Sequence, residues 1–331
     1  MKRQQKHRYS SLISHIAIIL LATHGLIYLL GRLVGFAYEV AYVSYGNVFL
    51  VDIIFLIVDC VKFIACLLIP LKLFDYLRSN AFHEKLLPEE HEKAPTGTII
   101  AVFLLGLACN YIFAWINIYS VDMLISMSYL GENEQYVLGS GLEHGYQIVI
   151  YIISTAVIPA IVEELVFRKT ICKSLLPYGP KTAVLVSAIL FGFMHTSFHK
   201  IGFTFIGGIF LGWLYVASKD IRVPMLFHFI HNLTSCIGTI IAYKVSMDAY
   251  TTFIAAYCSV LFWVGLGALI YLIARRDIKK EILVMLPDEN GEEVKPLRNG
   301  ERVSGFFSPL MIVFLIATVI QMFYYLSFQL V

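Results

Sequence analysis

The sequence predicts an all-α protein, a polytopic membrane helix bundle of about nine transmembrane helices with its N-terminus cytoplasmic. Of its 331 residues, 59% are hydrophobic and only 15% charged, where a soluble domain carries about 25% charged residues. The mean hydropathy is +0.76, and the apolar residues collect in runs long enough to span a bilayer. The cations fall in alternate connections between those runs, as topology demands.

Runs of about 18–25 apolar residues mark membrane helices. They lie at 11–32, 48–73, 97–119, 146–170, 181–198, 201–218, 223–243, 250–274 and 306–329. The first follows Met1-Lys2-Arg3-Gln4-Gln5-Lys6-His7-Arg8 without a small-residue cleavage site, which predicts an uncleaved span. Asp59 and Lys62, three apart in the second, are expected to pair. The fourth ends before the turn Pro177-Tyr178-Gly179-Pro180. The fifth and sixth are short and joined by a tight link at His199-Lys200. In the sixth, Gly207 and Gly208-x-x-x-Gly212 predict close helix packing. Pro224 marks the first turn of the seventh.

Lys2, Arg3, Lys6 and Arg8 lead the first span, and Lys72, Arg78, Lys85 and Lys93 follow the second. Arg168, Lys169, Lys173 and Lys181 flank the link after the fourth, Lys219 and Arg222 follow the sixth, and Arg275, Arg276, Lys279 and Lys280 follow the eighth. The connection 120–145 contains Asp122, Glu132, Glu134 and Glu143 but no Lys or Arg. Nine spans beginning inside satisfy the positive-inside rule at every loop. The chain then divides into residues 1–144, with three helices and their connections, a four-helix core at 145–243, and residues 244–331, with two helices and a polar loop at 275–305. That loop, with Asn290-Gly291 and Asn299-Gly300 as hairpin-turn signals, and the polar stretch 75–96 read as small cytoplasmic ornaments.

Composition excludes several functions. The net charge of +2 comes without a basic stripe, so no nucleic-acid partner is expected. Six cysteines without CxxC pairing read as buried thiols, neither disulfides nor zinc ligands.

The chemistry concentrates in the fourth span, in Ile158-Pro159-Ala160-Ile161-Val162-Glu163-Glu164-Leu165-Val166-Phe167-Arg168. A carboxylate at the centre of a membrane helix costs roughly 2.5–3.5 kcal/mol on insertion scales, so two adjacent ones need a purpose. Glu164 and Arg168 are four apart and share a helix face, which predicts an ion pair. Glu163 points about 100° away and lacks that partner. Pro159, four residues before Glu163, removes a backbone hydrogen bond and predicts a kink near the acid.

Further polar groups follow. Phe191-Gly192-Phe193-Met194-His195 ends the fifth span, and His228 and Asn232, four apart, share a face of the seventh. Gly179 lies sixteen residues after Glu163 and sixteen before His195. Antiparallel helices about that turn would set Glu163 and His195 at one depth. His228 and Asn232 fall a turn or two off that level, a gap for tilt or kinking to close. Phe167 and Phe191 are expected to wall the cavity. His231, beside the seventh-span motif but on another face, is expected to pack, and His199 to lie at the interface.

Glu163-Glu164-x-x-x-Arg168, Phe191-x-x-x-His195 and His228-x-x-x-Asn232 occur in order on separate helices. Together they resemble the three motifs of the CPBP intramembrane protease family, which includes the type II CAAX prenyl proteases and bacteriocin-processing and immunity proteins. The resemblance implies that Glu163 and His195 activate a water for attack on a peptide carbonyl, while His228 and Asn232 stabilise the oxyanion. A carboxylate in low dielectric is a usable base near neutral pH, and preorganised donors on an oxyanion are worth about 3–4 kcal/mol. Glu163, His195 and His228 could instead bind Zn²⁺. No HExxH is present, so metal-free and zinc-bound water are both open at this point.

The expected function is an intramembrane endopeptidase acting on a peptide or membrane-associated protein. The alternative is a non-catalytic membrane protein that binds a peptide or regulator, as in bacteriocin self-immunity. A proton-coupled transporter ranks below both, because the chain has no two-fold repeat and no paired broken helices. The expected partners are the peptide or protein substrate and the lipid bilayer. The compact chain, without an organelle-targeting signal, suggests a bacterial plasma membrane.

Overall fold

A computed structural model describes residues 2–44, 48–81, 93–127, 142, 144–275 and 299–328. They form helices joined by short connections, with no strand among the described residues. In chain order these are α1 (Lys2–Ser44), α2 (Val48–Ala81), α3 (Thr96–Met127), α4 (Gly145–Tyr178), α5 (Pro180–Met194), α6 (Phe198–Ser218), α7 (Arg222–Lys244), α8 (Met247–Ala274), α9 (Asn299–Phe306) and α10 (Pro309–Phe328). Seven of the nine apolar runs fall within one helix each; the fifth crosses the break after Met194 and the ninth the break after Phe306.

By length and composition, seven described helices can cross a membrane, or eight if the pair Gly300–Phe306 and Pro309–Tyr324, bent by 65°, is one span. The helix for the fifth run, α5, has only 15 residues, below the ~20 needed to cross unaided. The surface carries large apolar side chains such as Ile161, Leu185, Leu226 and Ile320, which suits a hydrocarbon solvent. The protein is an integral membrane protein.

Several boundaries differ from the expected ones. α1 runs to 43 residues, because Gly25, Gly31 and Gly35 weaken a helix without ending it and no proline intervenes. The break between α5 and α6 lies at 195–197, not at His199-Lys200. Thr196 takes a left-handed φ of 47°, which ends α5, and extended Ser197 starts α6. His199, expected at the interface, is consequently buried in the first turn of α6. Asn299-Gly300 opens α9 instead of a hairpin, since Asn and Gly suit helix starts as well as turns. Asn290-Gly291, and most of 75–96, lie outside the described residues.

The packing explains the glycines of α6. A Cβ on Gly208 would stand 3.0 Å from Ala188 Cα of α5, and one on Gly212 would stand 3.2 Å from Val184 Cγ1. On another face, a Cβ on Gly207 would meet Asn110 Oδ1 of α3 at 3.0 Å. α6 is thus held close between α5 and α3. Asn117 of α3 clamps its first turn, donating Nδ2 to the carbonyls of Phe198 (2.9 Å) and His199 (2.7 Å) while Oδ1 accepts from Gly202 N (3.0 Å). The connection before α5 uses Gly179 at φ +107°, a conformation other residues rarely adopt, and Pro180 then opens the helix.

Candidate functional site

α4 carries the two glutamates and is not uniformly α-helical. Its α-helical turns at Ile158–Glu164 lie between two π-helical stretches, Ile153–Val157 and Leu165–Cys172. Such under-wound turns are rare and recur at functional sites. They rotate the flanking side chains away from the phase of a regular helix.

The acids separate by environment. The Glu164 side chain is fully buried, while Glu163 keeps 14% exposure. Arg168 Nε lies 3.0 Å from Glu164 Oε2, with both side chains at 0% exposure, so the expected i,i+4 pair is present. Arg168 also donates Nη1 to Ser187 Oγ of α5 (3.3 Å) and places its guanidinium carbon 4.9 Å from the Phe191 ring centroid. A buried charge needs such partners.

Glu164 is not Arg168's alone. Its Oε1 accepts from His228 Nδ1 of α7 at 3.0 Å. A carboxylate oxygen only accepts, so Nδ1 carries the proton and Nε2 points the other way. There it lies 3.9 Å from Glu163 Oε2, beyond a direct hydrogen bond but bridgeable by one water. The depth gap expected for His228 is therefore closed, and its imidazole stands between the two acids.

His195 is the C-cap of α5, next to the left-handed Thr196. Its Nδ1 is 2.9 Å from the Phe191 carbonyl. That acceptor again fixes the proton on Nδ1, leaving a bare Nε2 in the neutral ring. Among the described residues no hydrogen bond or ion pair joins Glu163 to His195; the nearer imidazole partner of Glu163 is His228. Phe191 ties the group together. Its ring packs edge-on to His195 (4.9 Å), His228 (5.8 Å) and Phe167 (5.1 Å).

Asn232, one turn after His228, donates Nδ2 to the Thr155 carbonyl of α4 at 3.1 Å. His231 packs elsewhere, its ring nitrogens 3.2 and 3.3 Å from Asn110 Nδ2 and its ring 4.9 Å from that of Tyr111. Sequence reasoning did not anticipate Ser187 or the Thr155 carbonyl. The first carries no motif signal, but the second could have been found by counting four residues back from Pro159.

The donor set does not fit zinc. A zinc site would need Glu163, His195 and His228 to converge. Among the described residues no group of three or more His, Cys, Asp or Glu is placed to hold a metal ion.

The elements that bear these groups, α4 to α7, lie in a stretch that resembles a known family. Residues 145–234 match the family model described as type II CAAX prenyl endopeptidase Rce1-like. That stretch is similar to the Rce1-like family. The match covers just over a quarter of the chain and includes all three motifs, from Glu163 to Asn232. Curated proteins and solved structures yielded no match.

Proposed function

We propose that the protein is an intramembrane endopeptidase that hydrolyses a peptide bond with a glutamate-activated water. The observation that carries this reading is His228 held between a sealed acid, Glu164 at 3.0 Å, and a partly open one, Glu163 at 3.9 Å.

In this reaction Glu163 takes a proton from water as the oxygen attacks the carbonyl carbon. The bare Nε2 of His195 orients that water. The carbonyl π-electrons move onto oxygen, and the resulting oxyanion accepts from His228 Nε2–H and from an Asn232 amide proton. That role needs His228 as an imidazolium, for which the flanking carboxylates supply the countercharge. Glu163 then gives its proton to the departing amine as the C–N bond breaks. Glu164 holds His228 through Nδ1 and does not touch substrate. The substrate class suggested by the Rce1-like match is a peptide or protein tail with a prenylated cysteine.

The test is Glu163→Gln and Glu164→Gln, made separately and assayed in membranes on a fluorogenic C-terminal peptide with and without the prenyl group. Glu163→Gln should reduce cleavage at least about a hundredfold. Normal cleavage by that variant, with loss in Glu164→Gln, would reverse the roles of the two acids. An unaltered biological effect in both variants and in His195→Ala would favour a binding protein without catalysis.

A further inference from the structure

Pro159 has no N–H, so it cannot donate to the carbonyl four residues earlier, that of Thr155. The proline ring also crowds that carbonyl and tilts it away from the helix axis. Thr155 lies in the π-helical stretch Ile153–Val157, whose hydrogen bonds reach five residues instead of four, as from Ile158 N to Ile153 O. Pro159 stands where that register gives way to the α-helical turns of Ile158–Glu164. Without an N–H it serves neither the Ser154 carbonyl five residues back nor the Thr155 carbonyl four back. The latter is the one that Asn232 of α7 bonds, with Nδ2 at 3.1 Å.

We propose that Pro159 is a positioning residue: by withdrawing one backbone donor it gives the Thr155 carbonyl to Asn232 and so fixes the direction of that amide. Asn232 has two N–H groups in one rigid plane. Because a carbonyl can only accept, Nδ2 must face Thr155, and one proton is committed there. The second is then aimed about 120° away, on the helix face shared with His228. Asn232 is half-buried, so that proton is open to a substrate oxygen. The amide would otherwise rotate about its side-chain torsions and lose the preorganisation an oxyanion donor requires. The inference rests on the peptidase reading only for what the second proton does; the Pro159–Thr155–Asn232 arrangement stands apart from it.

The experiment is a double-mutant cycle of Pro159→Ala and Asn232→Ala in the full chain. Thermal midpoint in lipid nanodiscs, and kcat and KM on the prenylated peptide, are measured for all four proteins. In the proline background, Asn232→Ala strands a carbonyl inside the membrane and should lower the midpoint by several degrees. In the Pro159→Ala background the restored backbone N–H occupies that carbonyl, so the same change should cost less than half as much. Pro159→Ala should lower kcat roughly tenfold with KM within about twofold, and Asn232→Ala should lower kcat by a smaller factor in that background than in the proline background. Additive effects on both quantities overturn the proposal, since a proline that merely bends α4 would not depend on Asn232. Coupled midpoints without cleavage by any of the four proteins would uphold the arrangement and refute the peptidase reading. Should Pro159→Ala not fold, hydrogen exchange of the Asn232 side chain in the unaltered protein decides: one amide proton protected supports the proposal, and two equally fast protons overturn it.

Discussion

One carboxylate, Glu164, answers to both Arg168 and His228. Removing its charge leaves the fully buried Arg168 uncompensated, at a cost of about 3–5 kcal/mol. Glu164→Gln should therefore lower the thermal midpoint sharply, and Arg168→Met in the same chain should restore most of it. Glu163→Gln should leave the midpoint nearly unchanged while removing activity. Equal midpoints for the two single variants would refute the division between them. The Arg168 half of this arrangement was legible as i,i+4 spacing. The His228 half was not, because a bond between residues 64 apart has no local pattern. Outside the spans, Asp220 is held down to about 2 by the hydrogen bonds of Arg222. Its folded-state value lies below the ordinary 3.8, so the contact's small stabilisation is complete above about pH 4 and lost as pH falls toward 2. Arg222→Gln should return the Asp220 titration toward 3.8, as read by carboxyl NMR; an unmoved titration would remove Arg222 as the cause.

The close contact of α5 and α6 makes its own demand. Gly208→Ala sets a methyl 3.0 Å from the Ala188 Cα, and backbone cannot rotate away. Separating the helices should cost about 1–3 kcal/mol and shift His195 enough to reduce activity. Gly267 of α8 has nothing within 4 Å of a built Cβ, so Gly267→Ala should be neutral or slightly stabilising. Similar unfolding midpoints for the two variants would contradict this packing. The glycine spacing announced the contact, just as long apolar runs announced the helices. Two other features were hidden. The α5–α6 break depends on a positive φ at Thr196, which nothing in a β-branched residue signals. Helix faces were equally obscure: on α10, Met311, Phe314, Thr318 and Met322 are buried while Ile312, Val313, Ile316, Ile320 and Phe323 are exposed. Lipid and core are both apolar, so hydropathy does not tell one face from the other.

For the molecule as a whole, hydrophobic length separates the site from its surroundings. α6, α7 and α8 have 21, 23 and 28 residues, enough to span, while α5 has 15. At 1.5 Å per residue α5 rises about 22 Å, against a hydrocarbon core of about 30 Å. With the Lys173- and Lys181-flanked turn at one surface, its other end, bearing His195, stops about 8 Å short of the opposite surface. The bilayer must thin, or the polar phase dip inward, to meet it. Hydrolysis of one soluble peptide should therefore fall steadily when the protein is reconstituted in lipids of increasing acyl length, with the thermal midpoint much less affected. A rate indifferent to acyl length would mean that α5 is screened from lipid by its neighbours. For the proposed peptidase reaction, the short helix acts as a depth gauge: it sets how far a tail must descend before it meets His195, and lets membrane thickness bear on the choice of substrate.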